Sequence, residues 1–225
     1  MPKFAAGVVK FQKEVFPGNA DLFEKLVKGQ SPEALFITCS DSRIETGMLT
    51  QSQPGDLFIV RNAGNIVPPH YKGAGATTAA IEYACVALNV PHIVICGHTQ
   101  CGAMKGAMNL EGLSGLPHVK EWLSFSQAAV EITNELGKDL DEHARNLMLL
   151  EQNVILQLAH LRTHPAVAVR LARGDLRLHG WVYDIADGEG FGRNPFETPA
   201  ALFREHARLV LELQHRWRGR LIDRS

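Results

Sequence analysis

No run in the 225-residue chain approaches the about eighteen consecutive apolar residues of a membrane-spanning helix, and its start lacks the basic segment and apolar stretch of an export signal. A cytoplasmic protein without a membrane partner is the expectation. An excess of one charge is missing too: 23 Lys and Arg stand against 24 Asp and Glu, a formal net charge of −1. Nucleic acids and membrane surfaces usually select a basic excess, so neither is expected as a partner. Cysteine is scarce. Four cysteines do not make the disulfide framework of a small secreted protein, and free thiols fit a reducing compartment. Internal repeats and low-complexity segments are absent. The length suffices to bury a core without disulfides, and a single domain over residues 1–225 is expected, with a helical arm over 1–28 and a C-terminal helix over 197–225.

Two short stretches carry the chemistry: Cys39-Ser40-Asp41-Ser42-Arg43 and His98-Thr99-Gln100-Cys101-Gly102. Each follows an apolar, β-branched run, Ala34 to Thr38 before the first and His92 to Gly97 before the second, of the kind that forms buried strands of a parallel sheet. Each motif would then sit where a strand ends and a loop begins, the edge at which open α/β sheets collect their chemistry. Side by side, the two strands would bring Cys39, His98 and Cys101 together as two sulfur donors and one nitrogen donor, a set suited to Zn2+. Three protein ligands leave the fourth tetrahedral position open, the pattern of a catalytic rather than a structural zinc. Asp41 and Arg43 would leave the first strand beside that metal, the arginine holding the carboxylate ionised through paired hydrogen bonds. A purely structural pair capping the loop is the alternative. Cys85 and Cys96, on a helix and inside a strand, are assigned to the core.

The expected fold class is α/β, a central, mostly parallel sheet flanked by helices. Apolar residues recur at helical spacing from Phe4 to Val27, with Pro17-Gly18 interrupting, which predicts two short helices packed on their own core or on a partner. A short helix over 47–53, a strand over 57–60 and a turn over 62–65 follow. The glycines of Gly73 to Thr78 do not make a dinucleotide fingerprint: Thr78 replaces the third glycine and no strand directly precedes, so they are read as opening a helix to about Leu88. Helices are predicted over 119–136 and 141–161, the latter stopped at Pro165, then a short apolar run over 166–173 and a half-exposed edge strand over 175–184 closed by Gly188-Glu189-Gly190.

Together the two motifs resemble the signature of the β-class carbonic anhydrases. Gln53 to Phe58, Arg61 to Asn65, Ala80 to Ala84 and His179 to Tyr183 are similar to further blocks of that family, with a texture closest to bacterial members of cyanate-operon and cyanobacterial type. The resemblance implies one Zn2+ per chain and reversible hydration of carbon dioxide to bicarbonate and a proton, with Asp41 and Arg43 catalytic. It also implies a pocket of Gln30, Phe58 and Tyr83, contributed across a subunit interface, and of Gly102 beside the metal. The active unit is then a homodimer or higher homo-oligomer, the N-terminal arm packing across a partner. Hydrolysis of carbon disulfide or carbonyl sulfide at the same site, or a zinc-stabilised scaffold or shell component with incidental activity, are the alternatives. In some members Asp41 would itself fill the fourth zinc position at low pH. Members that do so hold a second bicarbonate near a tryptophan, a glycine and a tyrosine; those positions here read Phe36, Thr38 and Tyr183, so that second site is expected to be weak or absent.

Overall fold

The computed structural model describes residues 2–71, 73 and 75–188. Its sheet is built on β1 (Ala34–Cys39), a run buried at every position on both faces. On one side lies β2 (Leu57–Asn62) and on the other β3 (His92–His98), with β4 (Arg177–Tyr183) outside it, giving the order β2-β1-β3-β4. All three pairings are parallel, with Ala34 opposite both Leu57 and His92, and Ile95 opposite Gly180. The expected α/β fold and late edge strand are present. β2 runs two residues beyond its predicted end because Arg61 and Asn62 still pair with Thr38 and Cys39; polar side chains there look like a loop in sequence but continue the ladder.

Side chains alternate across the strands, so the two faces carry separate cores. Leu35, Ile37, Ile93 and Ile95 join the large cluster with Val154, Leu158 and Leu161. Phe36, Val94 and Cys96 form a small second cluster with Leu49, Leu57, Trp181 and Tyr183 packed against it.

The arm departs from the expected two helices. Helix α1 (Pro2–Lys10) passes into a wide π-type turn over Phe11–Val15, then a single helical turn α2 (Phe16–Gly18) and helix α3 (Ala20–Leu26). Pro17 has no N–H for the carbonyl of Lys13 and its ring presses on that turn, so the helix widens upstream of it and breaks downstream at Asn19. No described residue of the arm is buried; the rings of Phe11, Phe16 and Phe23 pack on one another instead. After β1 comes the short α4 (Thr46–Thr50), ended early by Gln51 in a left-handed conformation. Helix α5 (Ala76–Val86) begins after the glycines, and α6 (Gly102–Ala107) leaves the second motif. A short 3-10 turn, Leu110–Leu113, follows α6. The helix expected over 119–136 is divided into α7 (Pro117–Leu123) and α8 (Gln127–Leu136), because Ser124 bonds back to the Glu121 carbonyl and Ser126 turns inward to Asn153.

Helix α9 (Glu142–Thr163) starts on Asp141, whose carboxylate caps the Ala144 N–H, and stops before Pro165, which opens α10 (Pro165–Arg173). The C-terminal helix expected over 197–225 and the last two residues of the Gly188-Glu189-Gly190 turn lie outside the described residues. No helix among the described residues is long and apolar enough to cross a membrane.

One polar stripe of α9 matters for the site. Asn153 donates to the Gly64 carbonyl (3.1 Å) and accepts from Ser126 and Gln157, while Gln157 accepts from the Val67 N–H (2.8 Å). One turn on, His160 Nδ1 lies 2.7 Å from the Val67 carbonyl and His164 Nε2 lies 3.0 Å from that of Pro68. Carbonyls only accept, so each of these nitrogens carries a proton. Burial lowers the basicity of both rings, and the stripe holds the backbone after β2 with neutral side chains.

The contact of α9 with the edge strand is tight at Gly180, where an added Cβ would come within 2.7 Å of Val154 Cγ1 and 2.9 Å of Leu158 Cδ1. Gly180→Ala should therefore cost about 1–3 kcal/mol by overpacking, read as a lower urea midpoint with unchanged slope; a midpoint at or above that of the wild type would show the helix moving aside freely.

Candidate metal centre and active site

Parallel pairing of β1 and β3 sets their C-terminal ends side by side, and the structure brings Cys39, His98 and Cys101 together there. Their donor atoms all lie within 4.8 Å of one another and all three residues are buried. The sulfurs of Cys39 and Cys101 are 3.9 Å apart. His98 Nδ1 is 2.8 Å from the Thr99 carbonyl, so this nitrogen bears the proton and Nε2 presents a lone pair. That Nε2 is buried and has no hydrogen-bond partner. A buried acceptor beside two thiols costs free energy unless something occupies it. Two sulfurs and one imidazole match the donor preference of zinc, so the residues present fit that ion. In the absence of an ion the thiols share their protons unequally. Cys39 is drawn down by the hydrogen bond from Cys101, against the opposing effect of burial, and Cys101 is pushed up in turn.

Asp41 and Arg43 form a fork: Arg43 Nε donates to Oδ1 (2.9 Å) and its terminal nitrogen to Oδ2 (2.7 Å), while the Arg43 N–H also reaches Oδ1 (3.0 Å). These bonds hold the Asp41 carboxyl well below the usual carboxylate range. Its Oδ2 lies 3.9 Å from His98 Nε2, so the carboxylate borders the donor cluster while both oxygens stay with Arg43.

The sequence model of the carbonic anhydrase family matches residues 34–190. The chain is 46 % identical to a carbonic anhydrase of Synechocystis sp. over 84 % of its own length and 69 % of that protein. Among solved structures it superposes on the β-carbonic anhydrase CcaA with a TM-score of 0.82, 44 % identity and coverage of 84 % of this chain and 93 % of that one. The chain belongs to the β-class carbonic anhydrases. A tetrameric β-carbonic anhydrase of the ascomycete Sordaria macrospora is a further neighbour, at 33 % identity and a TM-score of 0.73, covering 85 % of this chain and 98 % of that one.

The pocket residues that the resemblance implies divide into two groups in this carbonic anhydrase chain. Gly102 opens α6 directly after Cys101. Phe58 on β2 and Tyr83 on α5 pack together with ring centroids 5.8 Å apart, and Tyr83 is exposed, as is Gln30 in the loop before β1. None of these three sits in the donor cluster of its own chain. Cys85 and Cys96 are buried, and desolvation pushes their thiols up to about 11 and about 12, which makes them inert core residues. In the niche around Phe36, the ring packs edge-on against Trp181 and the Thr38 hydroxyl donates to the Cys96 carbonyl at 2.9 Å. A groove of about 570 Å3 runs beside Arg61, Asn62 and Ala63 past His118 and Trp122, and none of the three proposed metal ligands lines it.

Sequence reading missed the residues that hold the first motif in place. Arg61 donates to the carbonyls of Cys39 (3.1 Å) and Asp41 (2.7 Å), and Gly64 points its N–H at Cys39 Sγ (3.4 Å). Gly64 has a φ of 79°, and a Cβ there would come within 2.8 Å of Met104 Cε. The only signal available was the family block from Arg61 to Asn65, which gives residues without roles.

Purified protein should carry one zinc per chain by elemental analysis, and Cys101→Ser should lose most of it. Full occupancy in that variant would remove Cys101 from the donor set.

Proposed function

We propose that the chain catalyses the reversible hydration of carbon dioxide to bicarbonate and a proton, with a zinc ion held by Cys39, His98 and Cys101. The observation that carries this reading is the buried, partnerless His98 Nε2 facing two thiols beside an Arg43-held Asp41. A zinc ion there supplies a water acidified enough to deliver hydroxide near neutral pH. The protein's own contribution is orientation. Asp41, kept ionised by Arg43, accepts a hydrogen bond from the attacking water and fixes the direction of its lone pair. Arg43 bonds both carboxylate oxygens and would hold Asp41 beside a bound ion, and it is braced by its own bond to the Gln100 carbonyl (3.1 Å). Free, buried thiols suit a cytoplasmic setting.

Stopped-flow assays should show rapid carbon dioxide hydration by the wild type. In Asp41→Asn, which keeps the shape and loses the charge, turnover should fall by about a hundredfold or more with zinc retained. Unchanged turnover in that variant would reduce Asp41 to a structural role, and inactive zinc-loaded wild type would refute the reaction itself.

The active unit is proposed to be at least a homodimer, in which Gln30, Phe58 and Tyr83 serve the neighbouring subunit's site. Supporting this are the exposure of Gln30 and Tyr83 and an arm that buries none of its apolar residues in its own chain: Phe4, Val8 and Phe11 are 68 %, 57 % and 41 % exposed. Light scattering at assay concentration should give a dimer or larger, and removal of residues 1–28 should shift it toward monomer with loss of activity. A fully active monomer would overturn the assignment.

A further inference from the structure

The Thr99 carbonyl fixes the tautomer of His98, and it does so only because the Thr99 peptide is turned back toward the ring. Three contacts hold it there, and all come from the end of β4. Tyr183 lies opposite His98 in the parallel ladder, and its carbonyl accepts the Thr99 N–H at 2.9 Å, one step past the paired strands. The Thr99 hydroxyl donates to Asp184 Oδ1 at 3.0 Å and accepts the Ile185 N–H at 3.0 Å. Asp184 is itself anchored, its Oδ1 taking the Ala186 N–H at 2.8 Å. The next residue, Gln100, has a φ of 57°, a left-handed conformation that is unfavourable for a side-chain-bearing residue and persists only where neighbours enforce it.

We infer that Thr99 and Asp184 are positioning residues for the metal centre: the carboxylate at the end of the edge strand locks Thr99, whose carbonyl keeps the His98 proton on Nδ1 and the Nε2 lone pair aimed at the two thiols. Neither side chain is one of the three donors. The inference rests on the zinc-site reading and adds to it a requirement located just past β4, more than eighty residues along the chain. A serine or threonine hydroxyl at position 99 and any acceptor oxygen at position 184 satisfy that requirement.

Two measurements test it. The first is zinc affinity by competition with a chromophoric chelator, per folded chain; the second is the tautomer of His98 from long-range 1H–15N correlations in the metal-free protein. Thr99→Val, which keeps the branched shape and removes the hydroxyl, should weaken zinc binding about ten- to a hundredfold and give a mixture of His98 tautomers. Thr99→Ser should remain within a few-fold of wild type in both measurements. Asp184→Ala should behave like Thr99→Val, Asp184→Asn like wild type because its amide oxygen still accepts, and the Thr99→Val/Asp184→Ala double variant should be no worse than either single one. If Asp184→Ala does not fold, the Thr99→Val and Thr99→Ser pair decides alone. The tautomer measurement needs no metal, so it decides the inference even if zinc proves to be the wrong ion. A folded Thr99→Val variant with wild-type zinc affinity and His98 still protonated only on Nδ1 would overturn it.

Discussion

Gathering two sulfurs and an imidazole into one buried cluster is unfavourable unless a cation repays it, and much of the molecule can be understood as keeping that cluster from relaxing. Left alone, the side chains would rotate toward solvent or toward each other. Here the parallel register of β1 and β3 fixes the strand ends, the Gly64 N–H holds Cys39 from one side, and the Thr99 peptide pins the imidazole from the other. The arrangement is paid for by backbone strain at a few points. Asn65 and Gln100, with φ of 48° and 57°, flank the two halves of the site. Such conformations survive because surrounding contacts over-determine them.

Those contacts come from different parts of the chain. Helix α9 holds the turn after β2 through Asn153 and Gln157, and β4 holds the turn after β3 through Asp184. Arg61 ties the turn after β1 to β2 by its backbone carbonyls. The three loops that make the site are thus each fastened to a rigid element other than the one they leave, the condition for holding a donor set to within a fraction of an ångström.

The strands, their order of chemistry and the donor triad were legible in the sequence because the signal is local: apolar runs of strand length, each ended by residues with an obvious affinity for metal. Asp41 and Arg43 were legible as a pair for the same reason. Arg61, Thr99 and Asp184 were not, since their partners are main-chain groups brought near only by the sheet. Helix boundaries failed where a side chain competes with the backbone, at Ser124 and Ser126, and where Pro17 acts several residues away from itself. The stripe Asn153, Gln157, His160 and His164 was invisible for a further reason: amides and histidines at helical spacing look like a solvated face, whereas Asn153, Gln157 and His164 are buried and His160 is half-buried.

That stripe also limits how the chain can vary in length. Its four side chains grip successive carbonyl and N–H groups of residues 64–68, and an α-helix turns by about 100° per residue. One residue inserted or deleted between positions 153 and 163 would swing half of the stripe away from the turn it holds, and no side-chain substitution would restore it. The turns before α9 carry no such phase. A change of length in this chain would therefore disturb the site less around residues 137–141 than a few turns later, although both lie far from the metal ligands in sequence.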